Sequence, residues 1–290
     1  MSIIKKTSII FLKIITMISP VLNTKLLYRI KFRKKLDLKN PATLNEKILW
    51  LKLNRYSNNN LITQCADKFE VREYVKQKGL EHILNELYFC YDHYNQIDYS
   101  TFPNEFVLKL NHAAGYNLIC RDKNKLSEYQ LLKKVKKWFK SDFWKIRSEL
   151  NYKNIKKKII IEKLLLDSQG NLPLDYKVYC FHGKPYATMV CIDRHEDGIK
   201  FLYYDENWSI MPLSYDSIQN PNIKVEKPVN YDLMIEYARI LSSDFPFVRV
   251  DFYYIKGAIF FGELTFTPSA GLDTGRLEKT DIFFGKKIKL

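Results

Sequence analysis

Residues 247–271 decide the fold of this chain; they read FVRVDFYYIKGAIFFGELTFTPSAG. Two apolar runs rich in aromatic and β-branched residues flank the dipeptide Lys256-Gly257. This pattern predicts two strands joined by a tight antiparallel hairpin turn. Each strand carries one carboxylate, Asp251 in the first and Glu263 in the second. The hairpin lays the strands side by side, so the two acids can converge.

The two carboxylates have polar neighbours two residues away, Arg249 in the first strand and Thr265 in the second. Alternation along a strand places Arg249 with Asp251 on one face, and Glu263 with Thr265 on one face. Carboxylates at close range repel, so they need a cation or a shared proton. Hard oxygen ligands suit Mg²⁺ that bridges nucleotide phosphates. The alternative is two solvated surface acids, which the bulky apolar residues around them disfavour.

A lysine lies inside a second apolar run, FVLKL at 106–110, ahead of the loop NHAAGYN at 111–117. Burying the ammonium of Lys109 is costly unless it finds an anion. The loop, which contains Gly115, offers backbone N–H groups to phosphate oxygens. A lysine that is simply exposed on a strand is the alternative interpretation.

Two further segments complete the set of candidate binding residues. The β-branched run KIIIEK at 158–163 predicts a strand. Its end, Glu162-Lys163-Leu164-Leu165, has backbone and apolar groups suited to an adenine slot. Farther along, Asp175 and Lys177 share one face of a predicted strand. Taken alone, that pair is best explained as a surface salt bridge.

Apolar periodicity predicts helices at 44–53, 65–78, 127–139 and 229–242. Thr43 is a suitable N-cap for the first of them. Because these helices are mixed with hairpins, the predicted fold class is α+β with largely antiparallel sheets, and not a doubly wound fold.

The 290-residue chain carries a net charge of +15, which favours polyanionic partners such as nucleotides, acidic lipids or acidic sugars. No zinc-finger spacing, basic-region heptad or RNP-like strand occurs, so we expect no nucleic-acid partner. The five cysteines are scattered and no CxxC is present. This argues against a disulfide framework and a zinc site and favours a reduced cytoplasm.

The first 35 residues combine a mostly apolar stretch at 9–22, interrupted by Lys13 and Pro20, with a basic run at 29–35. The apolar stretch is too short and broken to span a bilayer. An interfacial anchor on anionic lipid at the inner face of the membrane is one interpretation. A signal peptide is another, although no clear small-residue cleavage pattern follows. A first helix packed on the domain is the third.

Taken in chain order, VLKLNHAAGYN, IIIEKLL, DYKVYCFHGKP, VRVDFYY and GELTFTPSAG resemble the ATP-grasp superfamily. The last two resemble the corresponding motifs of D-alanine–D-alanine ligases. With LNEKILWLKL and ADKFEVREYVKQKG, the chain most closely resembles the TupA-like ATP-grasp family, which is linked to teichuronopeptide and other polysaccharide biosynthesis. The resemblance runs from about residue 44 to residue 271.

The resemblance implies two α+β subdomains that clasp a nucleotide cleft. The implied divisions are a basic apolar segment at 1–35, a helical and α+β region at 36–104, a small lid subdomain at 105–165 and a large subdomain with the metal site at 166–290.

It also implies a role for each candidate residue. Lys109 and Lys177 would hold the phosphates of ATP, Gly115 would belong to the covering loop, Glu162, Lys163, Leu164 and Leu165 would form the adenine hinge, and Asp175 would lie near the ribose. Asp251, Glu263 and Thr265 would bind Mg²⁺, Arg249 would stabilise the transferring phosphoryl group, and Arg194 would lie near the acceptor.

Two departures from the family pattern stand out. Ala113 and Ala114 replace the more usual glycine and serine of the phosphate loop, which removes a hydroxyl and some backbone freedom. Thr265 stands where an asparagine is usual. These changes imply weakened catalysis or a single Mg²⁺.

The function implied is an ATP- and Mg²⁺-dependent ligase that joins a carboxylate to an amine through an acylphosphate. Its other substrate would be an acidic carbohydrate or an amino acid, in the synthesis of a cell-surface polysaccharide. Two alternatives stay open. A glycosyltransferase would use a sugar nucleotide, although no DxD occurs near the predicted strands. A non-catalytic nucleotide-binding module of a synthase complex would tolerate the two departures.

Overall fold

The computed structural model describes residues 3–192 and 198–290, with side chains from residue 8 onward. The helices are α1 Ile3–Ile18, α2 Pro20–Phe32, α3 Leu44–Asn54, α4 Asn60–Ala66, α5 Val71–Gln77, α6 Glu128–Phe139, α7 Trp144–Arg147, α8 Tyr215–Gln219, α9 Tyr231–Ser242 and α10 Glu278–Gly285. The strands are β1 Leu87–Tyr91, β2 Phe106–Leu110, β3 Asn117–Cys120, β4 Ile159–Glu162, β5 Asp175–Phe181, β6 Lys184–Ile192, β7 Lys200–Tyr204, β8 Ile210–Met211, β9 Phe247–Ile255 and β10 Ala258–Thr265. Every pairing between these strands is antiparallel, which confirms the predicted α+β class.

The smaller sheet has four strands in the order β1-β4-β2-β3. Strand alternation in β2 buries Phe106, Leu108 and Leu110 in a core that also contains residues of α6. The same alternation turns Val107 and Lys109 to the opposite face. That face of the sheet lines the cleft described below. β1 pairs with β4, so this sheet draws one strand from the region before residue 105.

The larger sheet has six strands in the order β10-β9-β5-β6-β7-β8. Val248, Val250 and Phe252 of β9 are fully buried on its core side, where α9 packs. Arg249, Asp251 and Tyr253 alternate with them and face the other way. At the β9–β10 turn, Lys256 and Gly257 adopt φ of +48° and +86°, the left-handed pair that a two-residue hairpin requires.

The predicted helices at 44–53, 127–139 and 229–242 are confirmed by α3, α6 and α9. The predicted single helix at 65–78 is wrong, because α4 ends at Ala66 and α5 begins only at Val71. Asp67 causes the break: its Oδ1 accepts the backbone N–H of Phe69 at 2.8 Å. An aspartate that bonds nearby backbone in this way competes with helix formation. The break places Lys68 in the cleft described below.

The N-terminal helices α1 and α2 pack against α7. A buried hydrogen-bond cluster joins them to it: Asn23 Nδ2 donates to Thr16 Oγ1 at 2.7 Å and to Ser148 Oγ at 3.0 Å. Within residues 3–192 and 198–290, none of the helices combines the length and the apolar character needed to cross a bilayer.

Candidate functional site

One cleft lies between the two sheets and is lined by side chains of both. The smaller sheet contributes Lys109 and Asn117, and the larger sheet contributes Tyr253 and Gly262. One end of the cleft, called the apolar end below, combines several apolar side chains such as Leu164 with charged groups, while the other end is lined mainly by polar and charged groups. Such a division suits a ligand with an apolar ring at one end and anionic groups at the other.

A β-bulge at Gly262 determines which face of β10 carries Glu263. Before the bulge, Phe261 is opposite Phe252 and faces the core; after it, Glu263 is opposite Asp251. Without the extra residue, simple alternation would keep Phe261 and Glu263 on the same face. A Cβ at residue 262 would lie 2.9 Å from the backbone O of Asp251, which explains the glycine.

Asp251 is buried, and cations hold both of its carboxylate oxygens. Arg249 Nε donates to Oδ1 at 2.7 Å, and Arg249 Nη2 donates to Oδ2 at 2.6 Å. Lys177 Nζ donates to the same Oδ2 at 2.8 Å and also contacts Asp175. The carboxylate of Asp251 outweighs burial and raises the pKa of Lys177, so this lysine stays charged. Four of the predicted site residues therefore form one ion cluster.

Glu263 is the accessible carboxylate of the site, with 39% of its side-chain surface exposed. Thr265 Oγ1 donates to its Oε1 at 3.0 Å, while Lys68 Nζ and Arg249 Nη2 each lie 3.7 Å from a carboxylate oxygen. Partial burial opposes ionisation, but the charges of Lys68, Arg249 and Lys177 prevail and lower the pKa of Glu263 to about 2. Glu263 is thus an ionised carboxylate at neutral pH.

Thr265 shares this face with the two acids. Its hydroxyl donates to Glu263 and accepts a hydrogen bond from Arg249 Nη2 at 3.2 Å. The hydroxyl therefore links the arginine to the glutamate and holds both side chains in place.

Lys109 faces the larger sheet across the cleft. Its Nζ donates to Glu162 Oε2 at 2.6 Å, and Arg72 Nη1 lies 3.5 Å from Glu162 Oε1. Burial opposes the charge on Lys109, but Glu162 more than compensates and raises its pKa. The side chain of Glu162 is thus an anchor for two cations, a use that the sequence did not reveal.

The apolar end of the cleft contains the segment that follows β4. Lys163 is already engaged: its N–H donates to Glu86 O at 3.0 Å and its C=O accepts from Asn85 Nδ2 at 2.9 Å. Leu164 and Leu165 line the cleft. Within the described part of the chain, no hydrogen bond engages the backbone N–H or C=O of Leu165.

The loop after β2 closes over the charged end. Gly115 lies there with φ of +73°, a conformation that other residues adopt at a cost. Asn111 anchors the loop by donating from Nδ2 to Asp67 Oδ2 at 2.8 Å, and Lys68 Nζ donates to Ala113 O at 2.8 Å. Ala113 is fully buried, whereas Ala114 lines the cleft.

The structure brings almost all of the predicted site residues to this one cleft: Lys109, Gly115, Glu162, Lys163, Leu164, Leu165, Asp175, Lys177, Asp251 and Glu263 line it. Arg249 and Thr265 adjoin it through their hydrogen bonds to the two acids. The predicted acceptor residue Arg194 lies outside the described residues.

Sequence reasoning missed Lys68 and Arg72, which line the cleft from the helical region before it. The prediction of one continuous helix treated both as ordinary polar positions. The useful signal was Asp67, because an aspartate inside a predicted helix can bond to the backbone N–H groups that follow it and so end one helix and begin another. Tyr253 also lines the cleft and could have been found by strand alternation from Asp251, whereas Asn117 lies there because β3 pairs it with Lys109.

The residues present fit a Mg²⁺ ion that arrives with a nucleotide. No group of three or more acidic, histidine or cysteine side chains suited to a metal occurs in the described residues. Asp251 and Glu263 provide two carboxylates on adjacent strands. Mg²⁺ in nucleotide-binding enzymes is commonly held by one or two carboxylates together with the substrate phosphates.

Several solved structures with some similarity to this chain are named as ligases. The D-alanine–D-alanine ligase of Bacillus anthracis shares 15% identity, with a TM-score of 0.45, over 78% of this chain and 65% of that one. The structure of the same enzyme complexed with ATP shares 14% identity, with a TM-score of 0.46, over 78% of this chain and 62% of that one. An L-amino acid ligase from Bacillus licheniformis shares 12% identity, with a TM-score of 0.44, over 81% of this chain and 51% of that one. The chain thus spans less than two thirds of each of these proteins.

A comparison with curated protein sequences gives no match. The sequence model of one family, described as TupA-like ATPgrasp, matches residues 46–289. That match covers most of the chain, including both sheets and every described residue of the cleft. The chain belongs to the TupA-like ATP-grasp family.

Proposed function

We propose that this protein is an ATP-dependent ligase that activates a carboxylate as an acylphosphate and joins it to an amine. The observation that carries the proposal is the pairing of Glu263 with Asp251 in a cleft whose facing wall presents Lys109. The ionised Glu263 lies among cations, which is the balance of charge that a polyphosphate with its metal requires. Membership of an ATP-grasp family supports the choice of nucleotide.

The nucleotide would lie along the whole cleft. Its adenine would meet the free backbone groups of Leu165 at the apolar end, beside Leu164. The ribose would lie near Asp175, and the phosphates would meet Lys109 and Lys177. Gly115 would cover the phosphates with its loop. The positions of these groups along one cleft support this order.

Asp251 and Glu263 would hold Mg²⁺ together with phosphate oxygens, and the ion would neutralise charge on the transferring phosphoryl group. Arg249 and Lys177 fix the buried Asp251 in one orientation. Thr265 orients Glu263. The protein thus contributes a prearranged set of charges rather than a nucleophile of its own.

In the first step, a carboxylate oxygen of the substrate attacks the γ-phosphorus, and the bond to the β-phosphate oxygen breaks to release ADP. In the second step, the amine nitrogen attacks the acyl carbon. The C–O bond to phosphate breaks, inorganic phosphate leaves with the electron pair, and the nitrogen loses a proton. Positioning and electrostatic stabilisation account for the rate of both steps.

The substrate class in this proposal is an acidic carbohydrate, such as a uronic acid, joined to an amino acid during synthesis of a cell-surface polysaccharide. The net charge of +15 supports an acidic partner. The reaction would take place in the cytoplasm, where ATP is available.

Two measurements test the function. The first is calorimetric binding of ATP with and without Mg²⁺, using Glu263→Gln as the matched variant. We expect Mg²⁺-dependent binding that the variant loses. The second is ADP release with pairs of uronic acids and amino acids, which should need both substrates. A protein that binds UDP-sugars in preference to Mg²⁺·ATP would contradict the proposal and favour a glycosyltransferase.

A further inference from the structure

The N-terminal helices expose an unusually large apolar surface for a water-facing element. On α1, the side chains of Ile10, Phe11, Ile14, Met17 and Ile18 are each more than half exposed. At 100° per residue, these five positions fall within an arc of about 120°. Contiguous apolar patches on monomeric proteins mark sites of interaction.

The opposite side of this helix pair is fixed to the body of the protein. Thr16 and Asn23 are buried and bonded to each other at 2.7 Å, and Thr16 also meets Ser148 at 2.9 Å. Asn23 Nδ2 reaches Ile146 O at 3.2 Å as well. The apolar arc therefore points away from the body in a defined direction.

The apolar surface continues onto α2 and there becomes basic. Val21 and Leu22 are exposed at the start of α2, and Lys25 and Arg29 follow on the same side at helical spacing. The remaining cations of this segment, Lys31, Arg33, Lys34 and Lys35, are also exposed. One of them, Lys34, pairs with Glu278 at 2.5 Å, and the nearest acid along the chain is Asp37.

The charge of this segment is one-sided. Residues 1–36 contain nine Lys and Arg and no Asp or Glu. A protein partner would be expected to need hydrogen-bond acceptors on this surface as well. A bilayer with anionic lipids needs only an apolar face that can insert and positive charge beside it. Helices with an apolar face and flanking Lys and Arg lie in the plane of such an interface.

We propose that α1 and α2 dock this protein on the surface of an anionic phospholipid bilayer, with the arc of Ile10, Phe11, Ile14, Met17 and Ile18 inserted among the acyl chains. Lys25 and Arg29 lie at the level of the headgroups. The proposal goes beyond the ligase chemistry and does not depend on it. Docking would hold the cleft next to a membrane.

The test uses the full-length protein and flotation with phosphatidylcholine vesicles, with or without phosphatidylglycerol. We expect binding only when phosphatidylglycerol is present, and weaker binding at high salt. Lys25→Glu with Arg29→Glu should weaken binding on the order of thirtyfold or more, since each cation near the surface contributes about 1 kcal/mol. Phe11→Ser with Ile14→Ser and Ile18→Ser should abolish it.

Matched controls separate docking from unfolding and from general surface effects. Tyr215→Ser with Ile218→Ser and Val229→Ser removes three exposed apolar side chains elsewhere. Lys224→Glu with Lys256→Glu reverses two exposed charges elsewhere. Both controls should bind vesicles as the unaltered protein does, and all variants should keep its thermal unfolding midpoint.

Two results would overturn the proposal. One is equal binding to vesicles with and without phosphatidylglycerol, or no binding to either. The other is a dimer by light scattering that the apolar variant converts to a monomer, because the arc would then be an interface between two copies. Neither result bears on ATP binding, so the ligase proposal is tested separately.

Discussion

Glu263 lies directly opposite Asp251 across the β9–β10 ladder because Gly262 is an extra residue in β10. The bulge changes the phase of the strand between Phe261, which faces the core, and Glu263, which faces the cleft. The backbone O of Asp251 lies so close to residue 262 that only a glycine fits there without a shift. The face of the hairpin that carries both carboxylates thus depends on a residue with no side chain.

Gly262→Ala should disturb this arrangement. The new Cβ would have to move the backbone of Asp251, at a cost of about 1–3 kcal/mol in unfolding free energy. Mg²⁺-dependent binding of ATP should fall as the two acids separate. Urea denaturation and calorimetry check both effects. Gly275→Ala is the control, since its Cβ would meet only a side-chain atom of Asp273 at 3.3 Å, and it should behave like the unaltered protein.

Replacing each acid in turn should show that Asp251 has a structural role in addition to the metal-binding role proposed for both acids. Asp251→Asn leaves Arg249 and Lys177 buried beside a neutral group, which should cost about 3–5 kcal/mol of stability. Glu263→Gln removes an accessible carboxylate, so it should cost less stability than Asp251→Asn while abolishing Mg²⁺-dependent ATP binding. Denaturant titrations and calorimetry of both variants decide the matter. Equal losses of stability would contradict this division of roles.

The depressed pKa of Glu263 predicts a dependence of stability on pH. Its pKa is about 2 in the folded protein and, as an ordinary glutamate, about 4.3 in the unfolded chain. The stabilisation it provides is therefore complete above the unfolded value and is lost as pH falls from about 5 towards 2. The difference in unfolding free energy between the unaltered protein and Glu263→Gln should shrink over that range. Glu226→Gln, at an exposed position, should show a smaller change.

Lys68 should prove important for nucleotide affinity, although sequence reasoning passed over it. It lines both ends of the cleft and bonds to the loop at Ala113. Lys68→Ala should weaken ATP binding by about tenfold or more, the typical value of one charge-assisted hydrogen bond. Lys76→Ala removes an exposed lysine from α5 that pairs with Glu81, and it should leave ATP affinity unchanged. Equal affinities for both variants would refute this role.

The pair formed by Lys109 and Glu162 should show energetic coupling. Among the described residues, Lys109→Met leaves the buried Glu162 with Arg72 as its one remaining cationic partner, at 3.5 Å. We expect the sum of the stability losses of Lys109→Met and Glu162→Gln to exceed the stability loss of the double variant. The coupling should be about 1–3 kcal/mol. Chemical denaturation of the four proteins measures it, and additive effects would mean that the ion pair is not formed in solution.

The sequence by itself determined the order of the motifs, the strands that carry Lys109, Lys177, Asp251 and Glu263, and membership of the family. These features are local: strand periodicity, turn residues and short motifs are all encoded within a few neighbouring residues. The α+β class followed from the same signals. Helix α3 with its capping residue Thr43 was equally predictable, because a capping box is a contact between residues three apart.

Only the tertiary structure decided how the charges are shared within the cleft. Lys68 and Arg72 reach it from a helical region far from the strands in sequence, and Glu162 pairs with Lys109 from 53 residues away. The phase change at Gly262 is set by contact with the neighbouring strand, which an alternating pattern does not contain. Local periodicity fixes which way a side chain alternates, whereas long-range packing and strand register fix which partner it meets.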